Sequence, residues 1–218
     1  MSNKVKLAIF DFDDTLFIGQ SHNLFFSFLE SKLPIFKKFF FKIIFRFFLN
    51  NNLITSKKNK EFRFKPYKGI SAKLFNEYSE YFYINIIRPR LSLKILSLLS
   101  NHRKEGFLIV IASGGFECYI KHFVEDYNID YAVSTKLNFD NNQFSSLIEG
   151  NECLGEEKVK RVKHMFKNFD VDWNNSFVYS DHISDQPLFN LVLNKVFVDS
   201  GQSKEWINDE FKTIRISL

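Results

Sequence analysis

The hydrophobic residues of this chain fall into short apolar runs that are separated by longer amphipathic segments. Residues 7–10 and 107–112 are apolar throughout, and two shorter, mostly apolar runs lie at 177–179 and 195–198. Runs of this length are typical of strands that are buried on both faces of a parallel sheet. We therefore expect these runs to be the central strands of the fold.

The segment between the first two runs has a different pattern. Apolar residues at 24–29 recur at helical spacing behind Ser21, a helix-capping residue, and a second amphipathic segment opens at Ser71. Residues 19–88 therefore predict a helical lobe that is inserted between two strands of the sheet.

The remainder of the chain alternates strands and helices. Strand-like residues at 133–139 and 144–148 flank a turn sequence, Asp140 to Asn142, and this order predicts a hairpin. Helices are expected at 91–100, at 116–127, after Gly155, from Pro187 and, in a short piece, around Trp206.

Residues 33–49 are almost wholly apolar apart from a basic stripe at Lys38, Lys42 and Arg46. Two interpretations are open. The segment is either a helix buried within the lobe, with its cations extending outward, or a helix that lies in a membrane interface. A transmembrane span is disfavoured because the run is shorter than about 20 residues and carries cations.

Composition narrows the class of protein. With 218 residues the chain is long enough for a core and an attached lobe. Cys118 and Cys153 are far apart and have no metal-ligand spacing, which favours a reducing cytoplasmic setting. The N-terminus has no signal-peptide pattern. The net charge of +5 comes from interspersed cations, so charge alone does not imply a nucleic-acid partner.

The candidate chemistry lies directly after the first apolar run, where the sequence reads IFDFDDTL. Asp11 and Asp13 are two residues apart and so share one face of an extended chain. A pair of carboxylates can serve as a nucleophile and a general acid in phosphoryl transfer. The alternative is an acidic turn in which Asp14 and Thr15 are turn and cap residues. The tripeptide Ser113-Gly114-Gly115 follows the second run, and as a small-residue turn before a helix it is a weak anion-binding signal.

Four features occur in a fixed order: DFDDT, a Ser after an apolar run, a Lys on a predicted helix, and a strand that ends in Asp with a second Asp four residues later. In this order, and in the stretches VIASGG, ECLGEEKV and YSDHISDQPLF, the chain resembles the haloacid dehalogenase superfamily, in particular its phosphoserine-phosphatase-like branch. The resemblance implies an α/β fold with a Rossmann-like parallel-sheet core, residues 1–18 and 89–218, and a helical cap, residues 19–88.

The resemblance also implies a role for each matching residue. Asp11 would be the nucleophile that forms an aspartyl-phosphate, and Asp13 the general acid and later base. Phosphate would be held by three groups: Ser113, the Gly114 N–H and Lys158. Mg²⁺ would be bound by Asp11, the main-chain carbonyl of Asp13 and Asp181, with Asp185 supporting the site from behind these ligands. The five histidines show no ligand spacing and are expected at the surface, with His182 as a candidate neighbour of the site.

The expected activity is hydrolysis of a small phosphomonoester, such as an amino-alcohol or sugar-alcohol phosphate, without a nucleic-acid partner. Phosphoserine is a weaker candidate because Gln20 stands where phosphoserine phosphatases carry an acid. A membrane-associated phosphatase acting on a lipid head group is the main alternative, with peripheral contact through residues 33–49. A non-catalytic binding protein on the same fold is a further alternative. Arg63 and Lys65 are candidate specificity residues, and the oligomeric state is not readable from the sequence.

Overall fold

The computed structural model describes residues 4–35, 55–201 and 205–216. Within them a seven-stranded sheet has the order β4-β3-β2-β1-β5-β6-β7, and every neighbouring pair is parallel except β3 and β4. The strands are β1 (Leu7–Phe10), β2 (Leu108–Phe116), β3 (Tyr131–Asp140), β4 (Gln143–Glu149), β5 (Phe177–Ser180), β6 (Asn194–Asp199) and β7 (Phe211–Arg215). The predicted α/β fold with a parallel core sheet is confirmed.

Helices cover the sheet and fill the described part of the inserted lobe. They are α1 (Ser21–Lys32), α2 (Ser56–Phe64), α3 (Ala72–Phe82), α4 (Leu93–Lys104), α5 (Glu117–Asp126), α6 (Glu156–Met165) and α7 (Gln186–Phe189). Side-chain oxygens of Thr55, Ser71 and Ser92 accept N–H groups in the first turns of α2, α3 and α4, so these helices begin at capping residues. A π-helical turn at Tyr83–Ile87 extends α3.

Strand β1 fixes the position of the site. Its four residues are fully buried, and it pairs with β2 on one side and β5 on the other. On one side of β1 the sheet continues from β2 to β3, and on the other side it continues from β5 to β6. The connections on the two sides therefore diverge at β1, and a crevice opens beyond the carboxyl ends of the strands at such a point. The Asp11 N–H donates to the Tyr179 carbonyl at 2.8 Å, so the extended chain continues past β1 into that crevice.

The inserted helices share a hydrophobic core with one face of the sheet. Phe116, the last residue of β2, packs its ring against Phe26 of α1 and Phe64 of α2 at centroid distances of 5.8 and 5.0 Å. Phe25 also contacts Phe82 of α3 at 5.0 Å. These aromatic contacts hold the helices over the carboxyl end of β2. The division into core and cap stays a prediction, because one continuous cluster spans both.

The predicted hairpin is confirmed. Strands β3 and β4 pair antiparallel, and the turn between them contains Asn141 and Asn142 with φ angles of +49° and +61°. Asn tolerates this left-handed conformation better than most residues, which explains the turn sequence.

Two local predictions differ from the structure. Ser113 to Gly115 do not form a turn, because β2 continues in extended conformation to Phe116, with an irregular register against β3. The predicted helix around Trp206 is wrong: its ring packs against Phe197 and Phe211 in a turn region that leads into β7. Residues 36–49 of the predicted segment 33–49 lie outside the described residues. Among the helices of the described part, none is long and apolar enough to cross a membrane.

Candidate active site

A cavity of about 320 Å³ lies beyond the carboxyl ends of the central strands. Several elements that are far apart in the sequence contribute its walls: the segment after β1, the end of β2, the start of α6 and the loop after β5. Six residues with a predicted catalytic, phosphate-binding or metal-binding role line it: Asp11, Asp13, Gly114, Lys158, Asp181 and Asp185. Ser113 is buried next to Gly114, and its hydroxyl accepts the Gly115 N–H at 2.9 Å.

The centre of the site is a buried ion-pair network. Lys158 Nζ donates to Asp11 Oδ1 and to Asp185 Oδ2, each at 2.7 Å. Ser180 Oγ also donates to Asp185 Oδ2 at 2.6 Å, which leaves Asp185 fully buried and fixed behind the lysine. Asp11 and Asp181 are each 6% exposed, and both line the cavity. The buried carboxylates of Asp11, Asp181 and Asp185 therefore all line the cavity.

Burial and the neighbouring charges together set the pKa values in this network. Burial opposes the charged form of Lys158, but the carboxylates of Asp11 and Asp185 outweigh burial and raise its pKa, so the ammonium persists. Burial raises the pKa of Asp11; the Lys158 ammonium lowers it, and the carboxylates of Asp185 and Asp181 raise it again. One ammonium thus pairs with two buried carboxylates, and a third, Asp181, adds negative charge near Asp11. A further positive charge in the cavity would stabilise Asp11 in its ionised form.

The donor set fits a hard divalent cation. In the described part of the chain no three His, Cys, Asp or Glu side chains converge as a metal-ligating group. The protein would instead supply the carboxylates of Asp11 and Asp181 and the main-chain carbonyl of Asp13, and water would complete the shell. Few protein oxygens and several retained waters are what Mg²⁺ prefers.

Asp13 is held at the N-terminus of α1. Its Oδ1 accepts the Ser21 N–H at 2.9 Å, and its Oδ2 lies 3.8 Å from His22 Nδ1. The positive end of the helix dipole stabilises a carboxylate at this position. Asp14 adopts a φ of +50° and accepts the Gly19 N–H at 2.9 Å, and these features turn the chain from the strand toward α1. Asp13 therefore lines the cavity without belonging to the ion-pair network.

The two glycines at the end of β2 allow neighbouring groups to approach the backbone closely. A Cβ at Gly115 would lie 2.9 Å from the Tyr119 hydroxyl and 3.1 Å from Ile120 Cδ1. A Cβ at Gly114 would lie 2.5 Å from the Leu154 side chain at the cavity wall. The Gly114 backbone is thus exposed to the cavity with no side chain of its own.

The predicted specificity residues are placed differently from one another. Gln20 lines the cavity, and its Nε2 donates to Asp14 Oδ2 at 2.6 Å. Arg63 instead lies over the Phe26 ring at 3.9 Å and pairs with Glu30 at 3.3 Å. Neither Arg63 nor Lys65 is among the described residues that line the cavity, so their positions do not support a contact with substrate.

Five further residues line the cavity that sequence reasoning did not select: His22, Ser56, Lys60, Leu154 and Ser184. Lys60 Nζ donates to Glu152 Oε1 at 2.5 Å, so its charge is matched. His182 lines the cavity as expected, but the prediction that the other histidines lie at the surface is wrong for His102 and for His122, whose side chain is only 11% exposed. His102 is buried, and its Nε2 shares a hydrogen bond with the Tyr179 hydroxyl at 2.6 Å.

This fold and site define a class of protein. The model of the family described as haloacid dehalogenase-like hydrolase matches residues 8–190, and the chain belongs to that family. The predicted superfamily is therefore confirmed.

Individual relatives are more distant. A phosphoserine phosphatase of Haemophilus influenzae is 22% identical over 98 residues, which are 45% of this chain and 31% of that protein. The match thus spans about a third of the relative's length. A protein of unknown function from Bordetella pertussis Tohama I has a similar structure, with a TM-score of 0.77, 20% identity and coverage of 90% and 91% of the two chains. A phospho-aspartyl intermediate analogue of phosphoserine phosphatase gives a TM-score of 0.63, 16% identity and coverage of 90% and 87%. At these identities the structural likeness concerns the fold alone.

Proposed function

We propose that this protein is a Mg²⁺-dependent phosphatase that hydrolyses a small phosphomonoester through an aspartyl-phosphate on Asp11. The observation that carries the proposal is the buried ion-pair network, in which Lys158 joins Asp11 to Asp185 at one wall of the cavity. Membership of a hydrolase family and the likeness to phosphoserine phosphatases support it.

The proposed reaction has two steps. An Asp11 oxygen attacks the phosphorus and forms a new P–O bond, while the bond to the leaving oxygen breaks and Asp13 gives that oxygen a proton. A water then attacks the phosphorus, Asp13 takes the water's proton, and the Asp11 carboxylate and inorganic phosphate are released. The Lys158 ammonium and the Gly114 N–H stabilise the charge that spreads over the phosphoryl oxygens.

The metal has a limited role in this proposal. Mg²⁺ held by Asp11, Asp181 and the Asp13 carbonyl would offset the negative charge of the site and of the phosphoryl group. Asp185 would keep Lys158 directed at Asp11.

An assay with an aryl phosphate tests the proposal. The purified protein should release phosphate when Mg²⁺ is present and lose the activity when the metal is chelated. Asp11→Asn should lower the rate by at least about a thousandfold, because the nucleophile is lost. Asp140→Asn, at an exposed hairpin position, is the charge-matched control. Full activity in Asp11→Asn would exclude the mechanism, and an inactive wild-type protein would favour a binding protein on this fold.

We propose an amino-alcohol or sugar-alcohol phosphate as the substrate class. Gln20 lines the cavity, and its neutral amide is a weaker partner than a carboxylate for a substrate ammonium, which argues against phosphoserine. Within the proposed class the same argument favours a sugar-alcohol phosphate, which carries no ammonium. A screen of phosphomonoesters that includes phosphoserine, phosphoethanolamine and phosphatidylglycerophosphate separates the candidates. A strong preference for phosphoserine would overturn the argument from Gln20.

A lipid head-group phosphate is the second candidate, and only the sequence of residues 33–49 favours it. The basic stripe and aromatic residues of that segment would bind an anionic bilayer in a salt-dependent manner. Sedimentation with anionic liposomes at low and high salt tests this candidate. A folded protein that binds at neither salt concentration would remove its main support.

A further inference from the structure

A second cavity, of about 460 Å³, lies outside the catalytic site and shares no lining residue with it. Four cationic residues line it, namely Arg88, Arg90, Lys94 and Arg215. None of the described residues that line this cavity is acidic. A concave surface that is lined by positive charges alone has a positive potential, and it therefore attracts anions.

Most of the positive charge at this cavity has no acidic partner among the residues that the structure describes. Arg88 pairs with Asp126 at 3.2 Å and is therefore partly compensated. Lys94 Nζ donates to the main-chain carbonyl of Arg215 at 2.9 Å, which leaves its charge unmatched. The side chains of Arg90 and Arg215 have no ion-pair or hydrogen-bond partner within the described ranges. Three cations that have no acidic partner in the described part of the chain thus line one cavity.

The backbone adds to this charge. The cavity includes Ser92, the cap of α4, and no acidic residue occupies the first turn of that 12-residue helix. The first N–H groups of a helix have no acceptor within the helix and carry partial positive charge. Guanidinium groups are suited to phosphate because their planar donors can form paired hydrogen bonds to its oxygens.

We propose that this cavity is a second anion site that binds a small soluble molecule with at least two phosphate groups. Three unmatched cations exceed what a single phosphate would neutralise, and a concave cavity suits a small molecule. The cavity lies beside two segments, residues 16–18 and 90–92, whose backbones are hydrogen-bonded to each other. The Ile18 N–H donates to the Arg90 carbonyl at 3.0 Å, and the Ser92 N–H donates to the Leu16 carbonyl at 2.8 Å.

Residue-resolved NMR with inorganic pyrophosphate tests the proposal. The amide signals of Leu91 to Lys94 should shift in a saturable manner as pyrophosphate is added. Signals near Gly114 report separately on the catalytic cavity, so binding there does not confuse the result. The ionic strength is held constant because screening would weaken both sites.

Variants complete the test. Arg90→Gln with Arg215→Gln should weaken the binding seen at Leu91 to Lys94 by about tenfold or more, because hydrogen bonds to charged groups are lost. The control, Lys73→Gln with Lys104→Gln, removes two exposed positive charges elsewhere and should leave that affinity unchanged. If the double variant does not fold, Arg90→Gln alone provides the same test.

The proposal is overturned if wild-type Leu91 to Lys94 show no saturable shift. It is also overturned if the arginine variant and the lysine control bind pyrophosphate equally well. Neither outcome depends on whether the protein is a phosphatase.

Discussion

Lys158 is the residue on which the electrostatics of the site depend. It is 2% exposed and stands between two buried carboxylates. A buried charge without a partner is costly, so removal of this ammonium would leave Asp11 and Asp185 repelling each other in a medium of low polarity. The lysine therefore has a structural consequence as well as the proposed chemical one.

We predict that Lys158→Met lowers the free energy of unfolding by about 3 kcal/mol, because it leaves two buried carboxylates without their cation. Denaturation in urea at neutral pH measures this change. Lys160→Met, at an exposed position of the same helix, is the control and should be nearly neutral. Asp185→Asn in the Lys158→Met background should recover part of the loss. Equal stability of the two lysine variants would contradict this account.

The sequence allowed the acidic residues to be predicted but not the whole site. Asp11 and Asp13 follow a buried run at a spacing that implies paired chemistry, and the ordered motifs located Lys158 and Asp181. His22 and Lys60 were missed because they belong to helices of the inserted lobe, and their approach to the cavity depends on how those helices pack. His22 follows Asp13 by nine residues, but nothing in that spacing indicates a contact.

At the level of elements, the end of β2 belongs both to the packed interior and to the wall of the cavity. Gly114 and Gly115 are adjacent, but they face different neighbours. Gly115 is enclosed by Tyr119, Ile120 and Ser113, which are part of the packed interior, whereas Gly114 meets the movable tip of Leu154. The two glycines should therefore respond differently to an added methyl group.

We predict that Gly115→Ala lowers the free energy of unfolding by about 1–3 kcal/mol, because the new methyl group overpacks the interior. Gly114→Ala should cost less than about 1 kcal/mol, since Leu154 is partly exposed and can move. It should nevertheless reduce kcat/KM by at least about tenfold, because even a small displacement of bound phosphate is costly. Urea denaturation and steady-state kinetics on both variants measure the difference. The reverse pattern would contradict the proposed position of phosphate.

Most elements could be predicted because buried runs and helix caps are local signals. The extension of β2 through Ser113 to Gly115 could not, because glycines usually weaken a strand and here the close approach of Tyr119 and Leu154 requires them. Strand β7 was also missed. Its residues 211–215 are only partly buried at the edge of the sheet, so they lack the apolar run that marked the central strands.

At the level of the whole molecule, the pH dependence of stability should reflect a buried histidine. Burial lowers the pKa of His102, the Glu105 carboxylate partly opposes this, and Lys6 adds to it. The folded protein therefore holds His102 neutral while the unfolded chain takes up a proton below about pH 6.5. The contribution of neutral His102 to stability is fully present above that pH. It is lost as the pH falls toward the lowered pKa of His102 in the folded state.

We predict that His102 contributes a decrease in the free energy of unfolding between about pH 7 and pH 5, which the raised pKa of Asp11 opposes, and that His102→Gln makes this decrease smaller. Urea denaturation across this range measures it. Tyr179→Phe is the matched control, since it removes the hydrogen-bond partner of His102 but keeps the titrating group. His122 also has a pKa lowered by burial, so a smaller slope should remain. An unchanged slope in His102→Gln would exclude His102 as its source.

The architecture of the molecule was more predictable than its packing. Buried apolar runs indicated a parallel sheet, and the helical pattern of residues 19–88 indicated an insertion. That Phe25, Phe26 and Phe64 would join the core beside Phe116 was not predictable, because the periodicity of a helix shows that it has a buried face but not what covers that face.

In the proposed reaction the phosphoryl group is transferred to Asp11. The most direct measurement is to mix the Asp13→Asn variant with a phosphomonoester that carries labelled phosphate and a good leaving group, quench in acid, and map the label by mass spectrometry. An aryl leaving group needs little protonation, whereas the water step still needs Asp13, so the phospho-enzyme should accumulate. The account predicts a hydroxylamine-sensitive phosphate on Asp11 that is absent from Asp11→Asn. An Asp13→Asn variant that turns over the ester without labelled protein, or a label on another residue, would contradict it.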